Sequence, residues 1–366
     1  MGRESLYLKY RPFQLSDIVG QKYIVQTLKQ ASIDNSFVHT YLFGGIKGTG
    51  KTTSARILAN LLTCENPVNG VLCGKCRACK SVQSGSSMDI IELDGANNRK
   101  VEDIRDLIDG AHWPPTELKR KVYTIDESHQ LTSTAISALL KIVEEPPEYV
   151  TFIFCTTELD KIPDTILSRS QRFMFGRLSL KEVVGRLKFI SEQENIKATE
   201  DALYALARMG RGSMRDSIGY LEQIATLASG KEINDKAVAK YFGMADRRGI
   251  LNMLKSMNSA NLSLLMDQVN DLVIANADIK NIVFEISELF RSIMVIKAKN
   301  GNFSLIELPE HEIQELMEIG DKIKFSNLYK LSRSFSTLEK EMDWGINKRW
   351  ILESTLIKCS EILMEQ

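Results

Sequence analysis

Eight residues, Gly45-Ile46-Lys47-Gly48-Thr49-Gly50-Lys51-Thr52, constrain this chain more than any other segment. They follow the pattern G-x-x-x-x-G-K-[ST], in which backbone N–H groups wrap an anion and glycines allow the close approach. Ahead of them, Thr40-Tyr41-Leu42-Phe43 reads as a short buried strand. Behind them, Ala55, Leu58, Ala59 and Leu62 recur at i, i+3, i+4 and i+7, the stripe of an amphipathic helix. A strand, a glycine loop and a helix in that order place the loop at the carboxyl edge of a parallel α/β sheet. The loop is expected to hold a nucleoside triphosphate, with Lys51 against the outer phosphates, Thr52 at a Mg²⁺ position and Thr53 beside it. A ligand-free glycine turn is the plainer alternative, and the flanking strand and helix argue against it.

A chain of 366 residues has room for two or three domains and a sizeable core. Its 47 basic and 47 acidic residues balance, so a nucleic-acid contact would have to be a local patch. No segment approaches the roughly 18 apolar residues of a membrane span, and Glu4 interrupts what would be a secretion signal. Six cysteines, four of them bunched, fit a metal site in a reducing compartment better than a disulfide scaffold. A cytoplasmic location without a membrane partner is the expectation.

A second carboxylate-bearing strand follows, Lys121-Val122-Tyr123-Thr124-Ile125-Asp126-Glu127. Asp126 is suited to Mg²⁺, held through water, and Glu127 to orienting or deprotonating an attacking water. Thr132 is placed to cap a helix whose buried stripe is Ile136, Leu139, Leu140 and Val143, ended by Pro146-Pro147. The apolar strand Thr151-Phe152-Ile153-Phe154-Cys155 then leads to Thr156-Thr157, where a hydroxyl could reach the γ-phosphate or the water. Arg169, in Ile166-Leu167-Ser168-Arg169-Ser170, and Arg215, in Gly210-Arg211-Gly212-Ser213-Met214-Arg215-Asp216, are candidate phosphate-directed guanidiniums. An unspecified arginine is far more often a solvated surface residue.

Cys73-Gly74-Lys75-Cys76-Arg77-Ala78-Cys79, with Cys64 upstream, supplies four thiols for a tetrahedral structural Zn²⁺. An iron–sulfur cluster is the rival reading, but its pattern wants a further cysteine where Gln83 stands, and unliganded thiols are the third. Cys155 and Cys359 lie in apolar patterns and read as core residues.

These motifs, together with Tyr10-Arg11-Pro12, Ile18-Val19-Gly20-Gln21 and Glu144-Glu145-Pro146-Pro147, occur in an order that resembles the gamma/tau subunits of the bacterial DNA polymerase III clamp loader, a branch of the AAA+ ATPases. The likeness is dense over about residues 7–220, and the cysteine knuckle is its most discriminating element. It implies an ATP-driven motor that opens a ring-shaped sliding clamp and places it on primer–template DNA. By the resemblance, Lys51 and Thr52 hold phosphates and Mg²⁺, and Asp126 and Glu127 form the Walker B pair. Thr157 becomes the first sensor and Arg215 the second, while Arg11 and Val19 line the adenine pocket. Arg169 becomes a finger acting on nucleotide in a neighbouring subunit, which makes the site composite. The implied partners are other clamp-loader subunits, copies of the chain itself, the sliding clamp and primed DNA. The chain departs from the family pattern at Ser128, usually apolar, and at Ser170, commonly cysteine. Family members often continue into a polymerase- and helicase-binding tail, whereas this sequence stops at Gln366.

The expected architecture is an α/β AAA+ domain over residues 1–177 with the zinc module at 64–79, a small helical lid over 178–243, and an all-helical collar over 244–366. In the last part Leu251, Leu254, Leu264-Leu265, Val269 and Leu272 fall at helical spacing, as do Ile282, Ile286, Leu289, Phe290 and Ile293. Arg99, Lys100 and Arg105, around a helix start near Val101, are candidate contacts to DNA phosphates, with Glu102, Asp103 and Asp106 arguing against a generic basic patch. Two other functions stay open: a clamp-loader stator that does not hydrolyse ATP, and an AAA+ branch-migration helicase motor.

Overall fold

A computed structural model describes residues 4–84, 87–98, 100–244, 247–274, 277–298, 306, 308, 310–344 and 347–364. The chain forms two compact units, one of residues 1–183 with 210–219 and one of residues 184–209 with 220–366.

The first unit is built on a parallel sheet of β1 (Thr40–Gly45), β2 (Ile90–Asp94), β3 (Lys121–Asp126), β4 (Val150–Thr156) and β5 (Gln171–Phe175), in the order β2-β3-β4-β1-β5. The three central strands are buried almost throughout because both of their faces are covered. Alternation then sorts the side chains. Tyr41, Phe43, Ile153, Cys155, Phe173 and Phe175 pack on one face with Ala55, Leu58, Ala59 and Leu62 of the helix Lys51–Thr63. Leu42, Ile125, Phe152 and Phe154 pack on the other with Ile104 and Leu107 of the helix Val101–Ala111 and Ile136 and Leu139 of the helix Ser133–Glu144. Aromatic pairs fix the register across strands, with Tyr41 stacked on Phe173 at 6.3 Å and Tyr123 on Phe152 at 5.5 Å. Thr132 caps its helix as its position predicts, accepting the Ala135 N–H at 3.2 Å.

The parallel order matters for chemistry. All five strands end on one edge, and the loops following β1, β3 and β4 emerge there side by side. The loop after β1 carries Lys51, that after β3 carries Glu127, and that after β4 carries Thr157.

The second unit is helical. Its core runs from Ile250 to Leu363, with Phe290 and Phe335 in ring contact at 5.4 Å near its middle. Leu264, grouped with the apolar stripe in sequence, is 45% exposed; Leu265 is the one that turns inward. Within this unit Arg247 pairs with Glu285 and, at 3.1 Å, with Glu312, and Arg208 lies 3.6 Å from Glu312.

Candidate nucleotide site and cysteine centre

β1 delivers the glycine loop, and three of its glycines carry positive φ: Gly45 at 143°, Gly48 at 77° and Gly50 at 102°. Two of them are also sterically required. A Cβ on Gly45 would fall 2.2 Å from the carbonyl oxygen of Phe175, and one on Gly48 would fall 1.9 Å from Ser213 Oγ. Ile46 and Thr53 are half-buried and Lys47 is exposed, while Thr49 is buried and donates to the Ile46 carbonyl at 2.9 Å. Lys51 is only 5% exposed, and its Nζ donates to the Gly45 and Ile46 carbonyls, each at 2.8 Å. Burial lowers its pKa, and Glu127, Cys155 and Asp126 pull it back up.

The two halves of the predicted Mg²⁺ site meet. Thr52 Oγ1 donates to Asp126 Oδ2 at 2.7 Å, across 74 residues of sequence. The other carboxylate oxygen of Asp126 accepts the Glu127 N–H at 2.9 Å. A hydroxyl and a carboxylate side by side are hard oxygen donors of the kind Mg²⁺ takes together with its waters and substrate phosphates. Glu127 sits in the left-handed region at φ 45°, and its Oε2 accepts Thr157 Oγ1 at 3.2 Å. Gly95, after β2, makes room for that turn. A Cβ there would stand 2.8 Å from the Glu127 carbonyl oxygen, and the Gly95 N–H donates to the Asp126 carbonyl at 2.8 Å.

Ser128, where the resemblance expects an apolar residue, has a structural explanation. Ser128 is 1% exposed, and its Oγ donates to the Cys155 carbonyl at 3.0 Å, tying the turn after β3 to β4. Ser170 likewise finishes its helix by donating to the Ile166 carbonyl at 2.7 Å.

Arg215 reaches the same neighbourhood through a joint that the sequence does not announce. The Met214 N–H donates to the Gly48 carbonyl at 2.9 Å, which seats the start of the helix Met214–Ala228 on the glycine loop. The Arg215 guanidinium then lies 5.0 Å from the centre of the Tyr7 ring. Arg11 is half-buried close by, its pKa lowered by burial and by the positive charges of Arg56 and Arg215. Val19 is half-buried next to Gly20, and Gln21 closes this segment onto the end of β5 through the Gly176 carbonyl at 2.8 Å.

Arg169 keeps other company. At the end of the helix Asp164–Arg169 it is exposed, paired with Glu144 at 2.9 Å, and donates to the Thr165 carbonyl at 3.1 Å. Lys100 and Arg105 are exposed at and just inside the start of the helix Val101–Ala111, while Arg99 lies outside the described residues.

The cysteine knuckle closes on itself. All four Sγ atoms of Cys64, Cys73, Cys76 and Cys79 lie within 4.8 Å of one another. Individual separations are 3.7 Å for Cys64–Cys73, 3.9 Å for Cys73–Cys79, 4.0 Å for Cys76–Cys64 and 3.7 Å for Cys79–Cys64. Sulfurs at about 2.3 Å from a tetrahedral Zn²⁺ would stand about 3.8 Å apart, so the set fits the ion. Backbone N–H groups of Cys76 and Cys79 donate to the sulfurs of Cys73 and Cys76, each at 3.4 Å. Backbone donors from Lys75 and Cys76 bring the Cys73 thiol down to about 6, whereas burial pushes Cys64 and Cys79 up. Ahead of the knuckle, Asn69-Gly70 makes a two-residue turn with both φ positive, closed by paired hydrogen bonds between Val68 and Val71. Gln14 holds this segment to the sheet domain by exchanging hydrogen bonds with Leu72, at 2.9 and 3.2 Å.

Comparison with known proteins decides the family. Residues 20–179 match a model of the DNA polymerase III delta subunit, 182–231 one of the DNA polymerase III clamp loader subunit ATPase lid domain, and 233–363 one of DNA polymerase III subunits gamma and tau domain III. The gamma subunit of Buchnera aphidicola is 34% identical over 365 residues, which cover 98% of this chain and 97% of that one. The chain belongs to the DNA polymerase III gamma/tau family. The resemblance read from the motifs is thereby borne out, as is the AAA+ ATPase fold. The tau subunit of Bacillus subtilis is 34% identical over 99% of this chain, and this chain spans 64% of that relative's length. Among solved structures, the RuvB Holliday junction branch migration motor of Thermotoga maritima shares the fold, with a TM-score of 0.50, 20% identity, and coverage of 68% of this chain and 79% of that one. Among the described residues no helix is long and apolar enough to cross a membrane.

Sequence reasoning missed several members of this site. Ser213 stands only within the motif around Arg215, and the motifs give Gly95, His129, Glu158 and Tyr7 no role. Long-range contact selects them, and it is not written in local residue pattern.

Proposed function

We propose that this chain is an ATP-hydrolysing motor subunit of the clamp loader, working with companion subunits and copies of itself to open a sliding clamp and set it on primer–template DNA. The observation that carries this is the contact between Thr52 and Asp126 at 2.7 Å, beside Lys51 and a Glu127 held by Thr157. A nucleotide loop, a metal-binding pair and a water-directing carboxylate stand together on one sheet edge. A stator needs none of this, although the match to a delta-subunit model over residues 20–179 keeps that comparison pertinent.

In this reading Gly45 to Thr53 cradle the triphosphate through backbone N–H groups and Lys51 neutralises it. Thr52 and Asp126 hold Mg²⁺, which supplies charge neutralisation at the β- and γ-phosphates when bound. Glu127 orients the attacking water and Thr157 holds that carboxylate. Arg215 reports the nucleotide from the helix Met214–Ala228, and Arg11 and Val19 shape the adenine pocket. Arg169, exposed and held by a surface ion pair, is available to a neighbouring subunit's nucleotide. The four cysteines hold a structural Zn²⁺. Lys100 and Arg105 contact DNA phosphates, and the location is the cytoplasm. We further assign residues 1–177 to the nucleotide domain, 178–243 to the lid and 244–366 to the collar.

The test is ATP turnover measured with each combination of companion subunits, clamp and primed template. Turnover should rise jointly with clamp and primed DNA. A chain that binds no ATP would instead be a stator, and stimulation by branched DNA without the clamp would favour a branch-migration motor.

A further inference from the structure

Glu127 is gripped from a second side, by a residue that the nucleotide motifs leave without a role. Its left-handed backbone starts a tight turn, in which the Gln130 N–H donates to the Glu127 carbonyl at 2.9 Å. Ser128, bonded to the Cys155 carbonyl, pins this turn against β4. The fold-back aims His129 at the tip of β4 and buries it, leaving its side chain 7% exposed.

Both ring nitrogens are engaged there. Nδ1 lies 3.0 Å from Thr156 Oγ1 and 3.5 Å from Glu127 Oε2. Nε2 lies 3.2 Å from Glu158 Oε1. An ionised carboxylate only accepts, so Nε2 toward Glu158 and Nδ1 toward Glu127 each present a hydrogen. Thr156 Oγ1 gives its own hydrogen to the Glu158 carbonyl at 3.2 Å and accepts from Nδ1. Glu158 is itself steadied by Lys161 at 2.8 Å, and its backbone N–H donates to Thr156 Oγ1 at 3.0 Å. Oε2 of Glu127 is the same atom that accepts Thr157 Oγ1. One carboxylate oxygen is therefore held from two directions, by the strand-tip hydroxyl and by the imidazole edge, and the imidazole is locked to the strand tip in turn. A leucine would fill the same space without linking these groups.

We propose that His129 is a positioning residue for ATP hydrolysis, fixing the Glu127 carboxylate against the tip of β4 so that it addresses the attacking water. The proposal rests on the reading of Glu127 as the water-directing group. It assigns His129 no contact with nucleotide. Its loss should therefore slow the chemical step and leave nucleotide affinity alone, whereas a merely structural histidine would disturb both.

The experiment uses the full chain assembled with companion subunits, clamp and primed DNA, and compares His129→Leu, His129→Asn, Thr157→Val, the His129→Leu/Thr157→Val pair and Glu127→Gln. In His129→Leu, kcat should fall roughly 10- to 100-fold, the scale of a misplaced catalytic group, while the Kd for MgATP stays within about twofold. His129→Asn, which keeps a polar atom near the place of Nδ1, should recover much of that loss. The double variant should lose less than the product of its single losses, because both residues hold one oxygen. Wild-type turnover in His129→Leu alongside an inactive Glu127→Gln would overturn the role of His129 alone. Equal impairment of the leucine and asparagine variants, or a Kd that worsens in step with kcat, would also overturn it. Wild-type turnover in Glu127→Gln would remove the underlying reading of the site instead.

Discussion

Replacing Gly48 by alanine probes the joint between the nucleotide loop and the helix that carries Arg215. The added Cβ would stand 1.9 Å from Ser213 Oγ and 2.9 Å from Ser213 Cβ, in a backbone at φ +77°. Two costs are separable. Holding alanine in the left-handed region costs about 1–2 kcal/mol. Forcing a methyl into packed atoms costs about 1–3 kcal/mol, so the single variant should lose about 2–5 kcal/mol in all. Relief of the clash requires the loop and the helix start to part, which also strains the Met214 N–H bond to the Gly48 carbonyl at 2.9 Å. Nucleotide affinity should therefore fall together with stability. Ser213→Gly in the same chain removes both clashing atoms but leaves the backbone strain. It also removes the hydroxyl that receives the Asp216 N–H at 3.3 Å, a cap whose exchange for glycine costs only a few tenths of a kcal/mol. The double variant should thus sit about 1–2 kcal/mol below wild type, above Gly48→Ala. Gly50→Ala is the control, since among the described residues no atom beyond its chain neighbours lies within 4 Å of its Cβ at φ +102°, and it carries the backbone cost alone. Urea denaturation followed by circular dichroism, with a fluorescent ATP analogue to measure affinity, reads both quantities. Gly48→Ala losing less than about 1 kcal/mol, or Ser213→Gly failing to lessen its cost, would refute the packing argument.

Lys51→Ala removes a buried positive charge from the loop and should weaken MgATP binding by roughly 100-fold or more, about 2.7 kcal/mol, measurable by equilibrium titration; unchanged affinity would contradict the loop assignment. Arg169→Ala should leave ATP binding intact and cut turnover of the assembled loader by roughly 10³-fold, the scale of a finger arginine, with turnover by assemblies of the variant as the measurement. Normal turnover there would end the case for action in trans. Metal analysis of the purified chain should find one zinc per chain, and Cys76→Ser should lower both the zinc content and the melting temperature, because the four sulfurs of the knuckle lie close enough together to hold one ion. Equal metal content in the two proteins would overturn the proposed four-cysteine zinc centre.

Chemistry set by neighbours in sequence was legible from the residues alone. The glycine loop needs its residues within one turn of a helix, so its spacing is covalent and appears as a motif. The knuckle likewise draws its last three sulfurs from seven consecutive residues, and the central strands of the sheet are read from short, mostly apolar runs. Tertiary structure decided what spacing cannot reach. It set the strand order that brings Thr52 to Asp126 across 74 residues, the bond from Ser128 to Cys155, and the seat of Met214 on Gly48. It also chose Leu265 over Leu264 for the core and turned His129 back toward Glu158. The contacts around the sheet follow from how its two apolar faces are buried at once, and the choice of Leu265 from how the helices of the second unit pack. Such burial is a property of each packed unit that local sequence does not contain.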